Sequence, residues 1–311
     1  MTASPSVSIV IPAYNRADSI VAAIESVLRQ TWTDFELIVV DDGSSDGTVA
    51  AARRIDDPRL RITESRVNRG ASAARNLGAA EARGRWLAFQ DSDDEWLPEK
   101  LEKQMARLGL VDDPDTVPEQ VAVYCGLLTL GWIDDAPDAR MAVRYVPGTE
   151  IAAAEGDILS QLLRDNLIST QTLVVRRDVF HAVGGFDEGL PAYIDWDLAI
   201  RLAQVGPIAF VDQPLVHQRF SPNSITRDAG RKLAGRIRLV ERNRAVFDRH
   251  PELLSRQYRY IANSYFRESR NPTEARAWLG RALRAAPRSP RSLGQSLRLA
   301  AQWLRAGRLR A

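Results

Sequence analysis

Short apolar runs alternate with helical patterns along the first 110 residues, and this alternation constrains the fold more than any other feature. Four runs rich in β-branched or aromatic residues are typical of buried strands: 7–11, 35–40, 60–63 and 86–89. Apolar residues recur at helical spacing between them, in 20–28, 49–54 and 71–82. Strands that alternate with helices form right-handed βαβ units. The sequence therefore predicts an α/β fold, with a mainly parallel, Rossmann-like sheet flanked by helices.

The pattern is less regular beyond residue 108. It predicts strands at 121–130, 172–176 and 208–211, a loop or hairpin at 134–145, and helices at 158–163 and 195–204. Beyond residue 227 it is helical to the end, with breaks near Pro251, Pro272 and 287–290. We therefore expect one domain at 1–226, with halves 6–110 and 111–226, and a helical C-terminal extension at 227–311.

Composition excludes several classes of protein. With 45% apolar and 26% charged residues, the chain has the balance of a soluble globular protein, which excludes a disordered or collagen-like chain. The longest uncharged apolar runs, such as 126–133, are far shorter than the roughly 20 residues that a membrane-spanning helix needs. The N-terminus lacks the pattern of a secretory signal. The single cysteine, Cys125, allows no internal disulfide and favours a cytoplasmic location.

Charge is unevenly distributed along the chain. Residues 231–311 carry a net charge of +15, whereas residues 1–230 carry −13. A basic face attracts anionic lipid, nucleic acid or an acidic part of its own chain. Leu293, Leu297, Ala300 and Leu304 share one helical face in this region, which is typical of an Arg-rich helix that lies on anionic lipid. A docked helix or a solvated surface is the alternative, and nucleic acid is disfavoured because no reading motif is present.

The strongest local signal for chemistry is an acidic segment, QDSDDEW at 90–96, directly after the predicted strand at 86–89. Asp91 and Asp93 stand two residues apart, so in an extended segment both carboxylates would lie on one side. Mg²⁺ is commonly held by one or two carboxylates together with substrate phosphates. The sequence therefore predicts a site for a metal and a diphosphate, and the alternative is an acidic turn that caps a helix beginning near Pro98.

Two further acidic segments follow predicted secondary structure. Asp42 ends the strand at 35–40 and begins the turn-rich loop DDGSSDG, where it could accept a hydrogen bond from a ligand or simply stabilise the turn. Asp195 and Asp197 begin the helix at 195–204. The helix dipole stabilises negative charge at this end, and a carboxylate there could also act as a general base. The carboxyl ends of parallel strands meet at one edge of the sheet, so the loops after 11, 40 and 89 are expected to converge.

Together these motifs resemble family 2 glycosyltransferases, which have the GT-A fold. The resemblance covers most of residues 6–226 and runs through the segments SVSIVIPAYNRADSIVAAIESVLRQTWTDFELIVVDDGSSDGT, NRGASAARNLGAAEARGRWLAFQDSDDEWLPEKLEKQ and GGFDEGLPAYIDWDLAIRL. It implies a nucleotide-sugar site at positions that match the family pattern: Pro12, Ala13, Tyr14 beside the base, Asp42 as acceptor from the imide N–H of the base, Arg75 near the diphosphate, and Asp91. It also implies Asp91 and Asp93 as ligands of Mg²⁺ or Mn²⁺. From the sequence alone, Arg75 could instead be a surface helix residue.

The resemblance also implies a base and a closing loop. Asp195 matches the catalytic base, although Ile194 stands where the family usually has Glu. The segment HQRFSPNSIT at 217–226 matches a loop that approaches the diphosphate, with Arg219 expected to neutralise charge on the leaving group. Ser221 stands where the family often has His, and His217 is either a weaker candidate metal ligand or structural.

The implied activity is transfer of a sugar from a nucleoside-diphosphate sugar to an acceptor hydroxyl, with inversion. UDP- or dTDP-sugars are the expected donors and a glycan or a lipid-linked molecule is the expected acceptor, in the cytoplasm or at the inner face of the membrane. The main alternative is a catalytically silent binding module of the same fold. A dinucleotide-dependent dehydrogenase is disfavoured because no G-x-G-x-x-G follows the first strand. A sugar nucleotidyltransferase is disfavoured because PAYNRADS stands in place of its phosphate loop.

Overall fold

The computed structural model describes residues 4–111, 113, 116–132, 141–148, 154–219 and 228–308. The chain forms two compact units. The first unit comprises Met1–Leu159, Leu167–Glu188 and Leu198–Pro222, and the second comprises Ser160–Asn166, Gly189–Asp197 and Asn223–Ala311. The second unit thus includes two short segments from within the predicted 1–226 domain.

The first unit is built on a mixed sheet. Its strands are β1 (Val7–Ala13), β2 (Phe35–Asp42), β3 (Leu60–Ser65), β4 (Trp86–Phe89), β5 (Glu95–Trp96), β6 (Ala122–Trp132), β7 (Met141–Val146), β8 (Leu173–Arg176) and β9 (Ile208–Arg219). They lie in the order β3-β2-β1-β4-β8-β6-β9-β5, and β7 pairs with β6. Strands β3, β2, β1 and β4 are parallel, as predicted. The rest of the sheet is mixed. Strand β8 pairs antiparallel with β4 and with β6, and β7 pairs antiparallel with β6.

Seven α-helices precede the C-terminal extension within the described residues: α1 (Ile20–Leu28), α2 (Thr48–Ala52), α3 (Ala71–Glu81), α4 (Lys100–Arg107), α5 (Leu159–Arg164), α6 (Arg177–Ala182) and α7 (Ile194–Leu202). The first unit contains α1 to α4, α6 and the end of α7, which flank its sheet, whereas nearly all of α5 and the start of α7 belong to the second unit. Every residue of β1 and β2 is buried, because helices cover both faces of parallel strands. Helix α3 packs directly on these strands. A Cβ atom built on Gly78 of α3 would lie 2.4 Å from Cγ1 of Val10, so only glycine permits this close approach.

The second unit is mainly helical. It contains α8 (Ala229–Arg242), α9 (Arg244–Asp248), α10 (Pro251–Arg267), α11 (Pro272–Ala285) and α12 (Pro290–Arg308). Three of these helices begin at the prolines that the sequence marked as breaks, since proline suits the first turn of a helix. Helix α10 packs against the other four. Among the described helices, none combines the length and apolar character that crossing a bilayer requires.

Candidate functional site

The carboxyl ends of three parallel strands bring the predicted loops to one edge of the sheet. Strand β1 pairs in parallel with both β2 and β4, with Ala13 opposite Asp41 and Val10 opposite Phe89. The chain therefore leaves all three strands at the same edge. The segments that follow β1, β2 and β4 carry Tyr14, the DDGSSDG loop and the acidic segment at 90–96, respectively.

The loops after β1 and β2 are joined by hydrogen bonds through Asn15, which the sequence analysis did not identify. Asn15 has a left-handed backbone (φ +50°), and its N–H donates to Oγ of Ser44 over 2.9 Å. Its side-chain Oδ1 accepts from the N–H of Ser45, also over 2.9 Å. Asparagine tolerates the left-handed region better than most residues, which is the signal that could have marked it. These bonds fix the loop that presents Tyr14, a residue that is 45% exposed.

Asp42 is buried at the end of β2, where its carboxylate binds the chain itself. Its two oxygens accept from the N–H of Arg69, over 2.9 and 3.2 Å, and Oδ2 also accepts from the N–H of Gly70 over 2.7 Å. A carboxylate offers about four acceptor positions, so capacity for a ligand is left. Asp42 thus holds the start of α3, and its predicted contact with a nucleotide base stays a prediction.

The acidic segment after β4 is a turn, not the extended stretch assumed from spacing. The N–H of Asp94 donates to the carbonyl of Asp91 over 3.2 Å, and residues 92 and 93 form the turn. Asp91 and Asp93 still interact electrostatically. Burial raises the pKa of the Asp93 carboxyl, the charge of Asp91 raises it further, and the charges of Arg16 and Arg75 oppose this rise. Arg16, which the sequence analysis missed, lies 3.8 Å from Asp93 (Nη2 to Oδ2).

Arg75 is a buried residue of α3 and not a surface helix residue, so that alternative is wrong. Its side chain is 7% exposed, and Nη2 donates to Oδ1 of Asp91. Its guanidinium carbon lies 5.6 Å from the ring centre of Phe186. The other two nitrogens, Nε and Nη1, are buried without a hydrogen-bond partner. A buried donor without a partner is costly, so these N–H groups are suited to an anionic ligand at this edge.

Asp94, the third aspartate of the acidic turn, has a structural role. It is 2% exposed, and its Oδ2 accepts from Nε2 of Gln171 over 2.9 Å. Gln90 donates to its carbonyl over 2.7 Å. Within the part of the chain that the structure describes, no group of three or more His, Cys, Asp or Glu side chains is placed to hold a metal. Asp91 and Asp93 alone fit Mg²⁺ or Mn²⁺, if phosphate and water complete the ligand set.

Asp195 lies in the second unit, in the first turn of α7. Its Oδ2 accepts from Nδ2 of Asn166 over 3.2 Å, and its Oδ1 accepts from the N–H of Trp196 over 2.8 Å. Asp195 is partly exposed, whereas Asp197 is fully buried and accepts from Nδ2 of Asn243 over 2.8 Å. Of the two aspartates that begin this helix, only Asp195 is accessible to a substrate.

The closing loop is only partly described. Arg219 is the last residue of β9, and its side chain and Ser221 lie outside the described residues. His217 is half-buried on β9, where it pairs in register with Glu95 of β5. The predicted roles of Arg219 and Ser221 stay predictions.

Comparison with known proteins assigns this chain to a family. The family model described as Glycosyl transferase family 2 matches residues 8–132. RP339 of Rickettsia prowazekii, an uncharacterized glycosyltransferase, is 32% identical over 226 residues, which cover 73% of this chain and 67% of that protein. WfgD of Escherichia coli, named UDP-Glc:alpha-D-GlcNAc-diphosphoundecaprenol beta-1,3-glucosyltransferase, is 43% identical over 102 residues. That match covers 33% of this chain and only 40% of WfgD.

The solved structures agree with this assignment at the level of the fold. The mannosyltransferase PcManGT from Pyrobaculum calidifontis, in complex with GDP-Man and Mn²⁺, matches with a TM-score of 0.58 and 19% identity. The match covers 97% of this chain and 81% of PcManGT. The chain belongs to glycosyltransferase family 2, and it has the GT-A fold that its motifs predict.

Proposed function

We propose that this chain transfers a sugar from a nucleoside-diphosphate sugar to an acceptor hydroxyl, with inversion and with a divalent metal. The observation that carries the proposal is the cluster of Arg75, Asp91 and Asp93 at the carboxyl edge of the sheet. Buried N–H groups of Arg75 are suited to phosphate oxygens, and the two carboxylates are suited to a cation. A metal-bound diphosphate has both kinds of charge.

The nucleotide would lie beside the loop after β1. Pro12 and Ala13 end the strand, and the exposed ring of Tyr14 is available to stack on a base. Asp42 retains acceptor capacity for the imide N–H of uracil or thymine. UDP- or dTDP-sugars are therefore the favoured donors, and the name of WfgD supports UDP. PcManGT was solved with GDP-Man, so similarity of fold does not choose the base.

Asp91 and Asp93 would hold Mg²⁺ or Mn²⁺, which neutralises charge on the diphosphate when it is bound. Two features support this assignment. Asp94 is hydrogen-bonded within the protein, which leaves two carboxylates for the metal, and the matched PcManGT complex contains Mn²⁺. Arg75 occupies only Oδ1 of Asp91, so Oδ2 is available as a ligand atom.

Asp195 is the proposed base of a single displacement. Its carboxylate takes the proton of the acceptor hydroxyl as that oxygen bonds to the anomeric carbon of the sugar. The bond from the anomeric carbon to the diphosphate oxygen breaks, and the electron pair leaves with the nucleoside diphosphate. Arg75 and Arg219 would stabilise the negative charge on this leaving group. One displacement inverts the configuration at the anomeric carbon, and no covalent enzyme intermediate is needed.

We propose that the acceptor is a lipid-linked molecule or a polysaccharide, and that transfer takes place at the inner face of a membrane. WfgD is named for a diphosphoundecaprenol acceptor. Helix α12 supports membrane contact, because Leu297 and Leu304, two helical turns apart, are 65% and 66% exposed. Arg298 and Arg305 are exposed beside them, whereas Ser296 is buried. Exposed leucines between arginines suit an anionic bilayer.

Vesicle sedimentation tests the membrane proposal. We expect the chain to sediment with vesicles that contain phosphatidylglycerol and not with phosphatidylcholine alone. Replacing Leu297 and Leu304 with Gln should reduce binding to the anionic vesicles, while the matched double variant Ala277→Gln with Thr273→Gln, exposed on α11, should not. Unchanged binding of the leucine variant would remove α12 from the proposal.

A panel of nucleotide sugars with Mg²⁺ or Mn²⁺ tests the enzymatic proposal. We expect metal-dependent release of one nucleoside diphosphate, coupled to transfer, by the wild type. Asp93→Ala should lose metal-dependent donor binding, and Asp195→Asn should retain donor binding but lose transfer. The alternative is a silent binding module, which Ile194 and Ser221 favour because they depart from the family pattern. Tight donor binding with no turnover would support the silent binding module. No binding of any nucleotide sugar would refute both the transferase and a module that binds nucleotide sugars.

A further inference from the structure

The C-terminal helices hold the segment at 193–197, which contains Asp195, from both sides. Before Asp195, Tyr193 has a left-handed backbone (φ +64°), an unfavourable conformation for a bulky residue, so its surroundings must hold it in place. After Asp195, the buried carboxylate of Asp197 accepts from Asn243, and Nε of Arg242 lies 3.4 Å from its Oδ1. Both of these partners come from the end of α8 and the residue after it.

Arg236 of α8 contacts the aromatic side chains on either side of Asp195. Its guanidinium carbon lies 5.0 Å from the ring centre of Trp196 and 5.3 Å from that of Tyr193. A third ring, that of Tyr260 on α10, lies 4.9 Å away. A guanidinium among three rings gains cation–π and stacking energy that a lysine ammonium does not reproduce. Arg236 therefore fixes the residues that precede and follow the proposed base.

Arg236 also reaches the hydrogen-bond partner of Asp195 by a second route. Its Nη1 donates to Oε1 of Gln257 over 2.7 Å, and Gln257 is fully buried. Nε2 of Gln257 donates to the carbonyls of Leu163 and Arg164, over 2.8 and 3.1 Å, at the end of α5. Two residues further along the chain, Asn166 donates to the carboxylate of Asp195.

We propose that Arg236 is a positioning residue, which sets the orientation of the Asp195 carboxylate through the ring of Trp196 and through Gln257 and Asn166. The proposal rests on the role of Asp195 as the base. It implies that Arg236 of α8 and Gln257 of α10, both in the basic C-terminal extension, help to position the proposed base. A base displaced by about 1 Å can lose about 10²-fold in rate without any change in how the donor binds.

Steady-state kinetics of Arg236→Met and Arg236→Lys test this proposal, with Arg231→Met as the matched control. Arg231 is an exposed arginine on the same helix. We expect kcat to fall by about 10²-fold in Arg236→Met, with KM for the donor within about twofold of wild type. Arg236→Lys should recover only part of kcat, because lysine keeps the charge and loses the planar group. Arg231→Met should behave as wild type.

A purely structural role makes a different prediction, since general loosening of the protein would impair donor binding and kcat together. A wild-type kcat in Arg236→Met, or a parallel change in kcat and donor KM, would overturn the proposal. Gln257→Glu is a second variant that keeps the acceptor for Arg236 and removes the donor to α5. It should lower kcat and leave donor KM unchanged, and a wild-type kcat would exclude the route through Asn166.

The same assays separate this proposal from the proposed function. Asp195→Asn is measured first. If it retains full transfer activity, Asp195 is not the base and the positioning role of Arg236 fails, while sugar transfer itself stands. If Asp195→Asn is inactive while Arg236→Met is fully active, the proposed function stands and only the positioning role of Arg236 is refuted.

Discussion

Asp91 and Asp93 belong to the same turn, yet neutralising Asp91 should destabilise the protein, whereas neutralising Asp93 should not. Asp91→Asn removes the charged partner of Arg75, whose side chain is 7% exposed. A hydrogen bond between charged groups contributes about 1.5–3 kcal/mol, and loss of one partner leaves the other charge buried. We therefore expect Asp91→Asn to lower the free energy of unfolding by about 2–3 kcal/mol.

Asp93→Asn should leave the free energy of unfolding unchanged or raise it. Burial and the charge of Asp91 raise the pKa of Asp93, which means that folding disfavours its charged form. Its favourable contact, with Arg16, is long at 3.8 Å and about one-third exposed on both sides, so it contributes little. A neutral amide therefore removes more repulsion than attraction. Both variants should nevertheless lose metal-dependent transfer.

Urea unfolding followed by circular dichroism at pH 7.5, without divalent metal, measures both effects. Asp178→Asn is the matched control, because Asp178 also pairs with an arginine, Arg176, but is 69% exposed. That control should change the free energy of unfolding by less than about 1 kcal/mol. An Asp91→Asn variant as stable as wild type, or an Asp93→Asn variant as destabilised as Asp91→Asn, would refute the reasoning.

Three further predictions concern the first unit. Burial raises the pKa of Glu36, but the three hydrogen bonds that its carboxylate accepts lower this pKa more, so the pKa lies below its usual value. Glu36→Gln should therefore lower the free energy of unfolding by about 2 kcal/mol, measured by urea unfolding at pH 7. Folding lowers this pKa, so the difference from wild type should disappear as pH falls below about 4. Gly84→Ala should lower the melting temperature, because its Cβ would lie 2.6 Å from the backbone nitrogen of Ser8, whereas Gly294→Ala, with nothing within 4 Å, should not. Burial lowers the pKa of Lys100 to about 8, so between pH 8 and about 10 the unfolded state binds more protons than the folded state. As pH rises through this range, the free energy of unfolding of wild type, measured in urea, should increase relative to that of Lys100→Met.

The parallel half of the sheet was predictable from the sequence because both faces of each strand are covered. Burial on both faces requires continuous apolar runs, and such runs mark β1, β2 and β4 directly. Strand β9 continues to Arg219, well past its predicted end at 211. The predicted strand ended early because residues 212–214 are polar or proline, and these residues are exposed in the structure. The register of β6 against β9 shifts at Gly126, opposite Pro214, and the strand then continues. An interruption of this kind resembles the end of a strand when only the sequence is seen.

The predictable part of the candidate site is likewise the part that depends on strand ends. Asp91 and Asp93 were found because they follow a buried strand, but spacing alone could not show that they form a turn. Arg75 was ambiguous, because its main partner, Asp91, is separated from it by 16 residues and a strand. Helical periodicity identifies an apolar face, and it cannot distinguish a charged side chain with a buried partner from one in solvent.

Charge counting failed in the same way for the C-terminal extension. Arg231 and Arg236 each contribute one positive charge to the net charge of +15. Their surroundings differ, because Arg231 is exposed and Arg236 lies among three aromatic rings. Basic residues of this region thus have two roles, since some are available to an anionic partner and others are required within the second unit. Because segments 160–166 and 189–197 belong to that unit, a chain cut at residue 226 would lose Arg236 and Asn243 from the surroundings of Asp195. The end of the family-like sequence therefore does not mark the end of the structure that holds the proposed base.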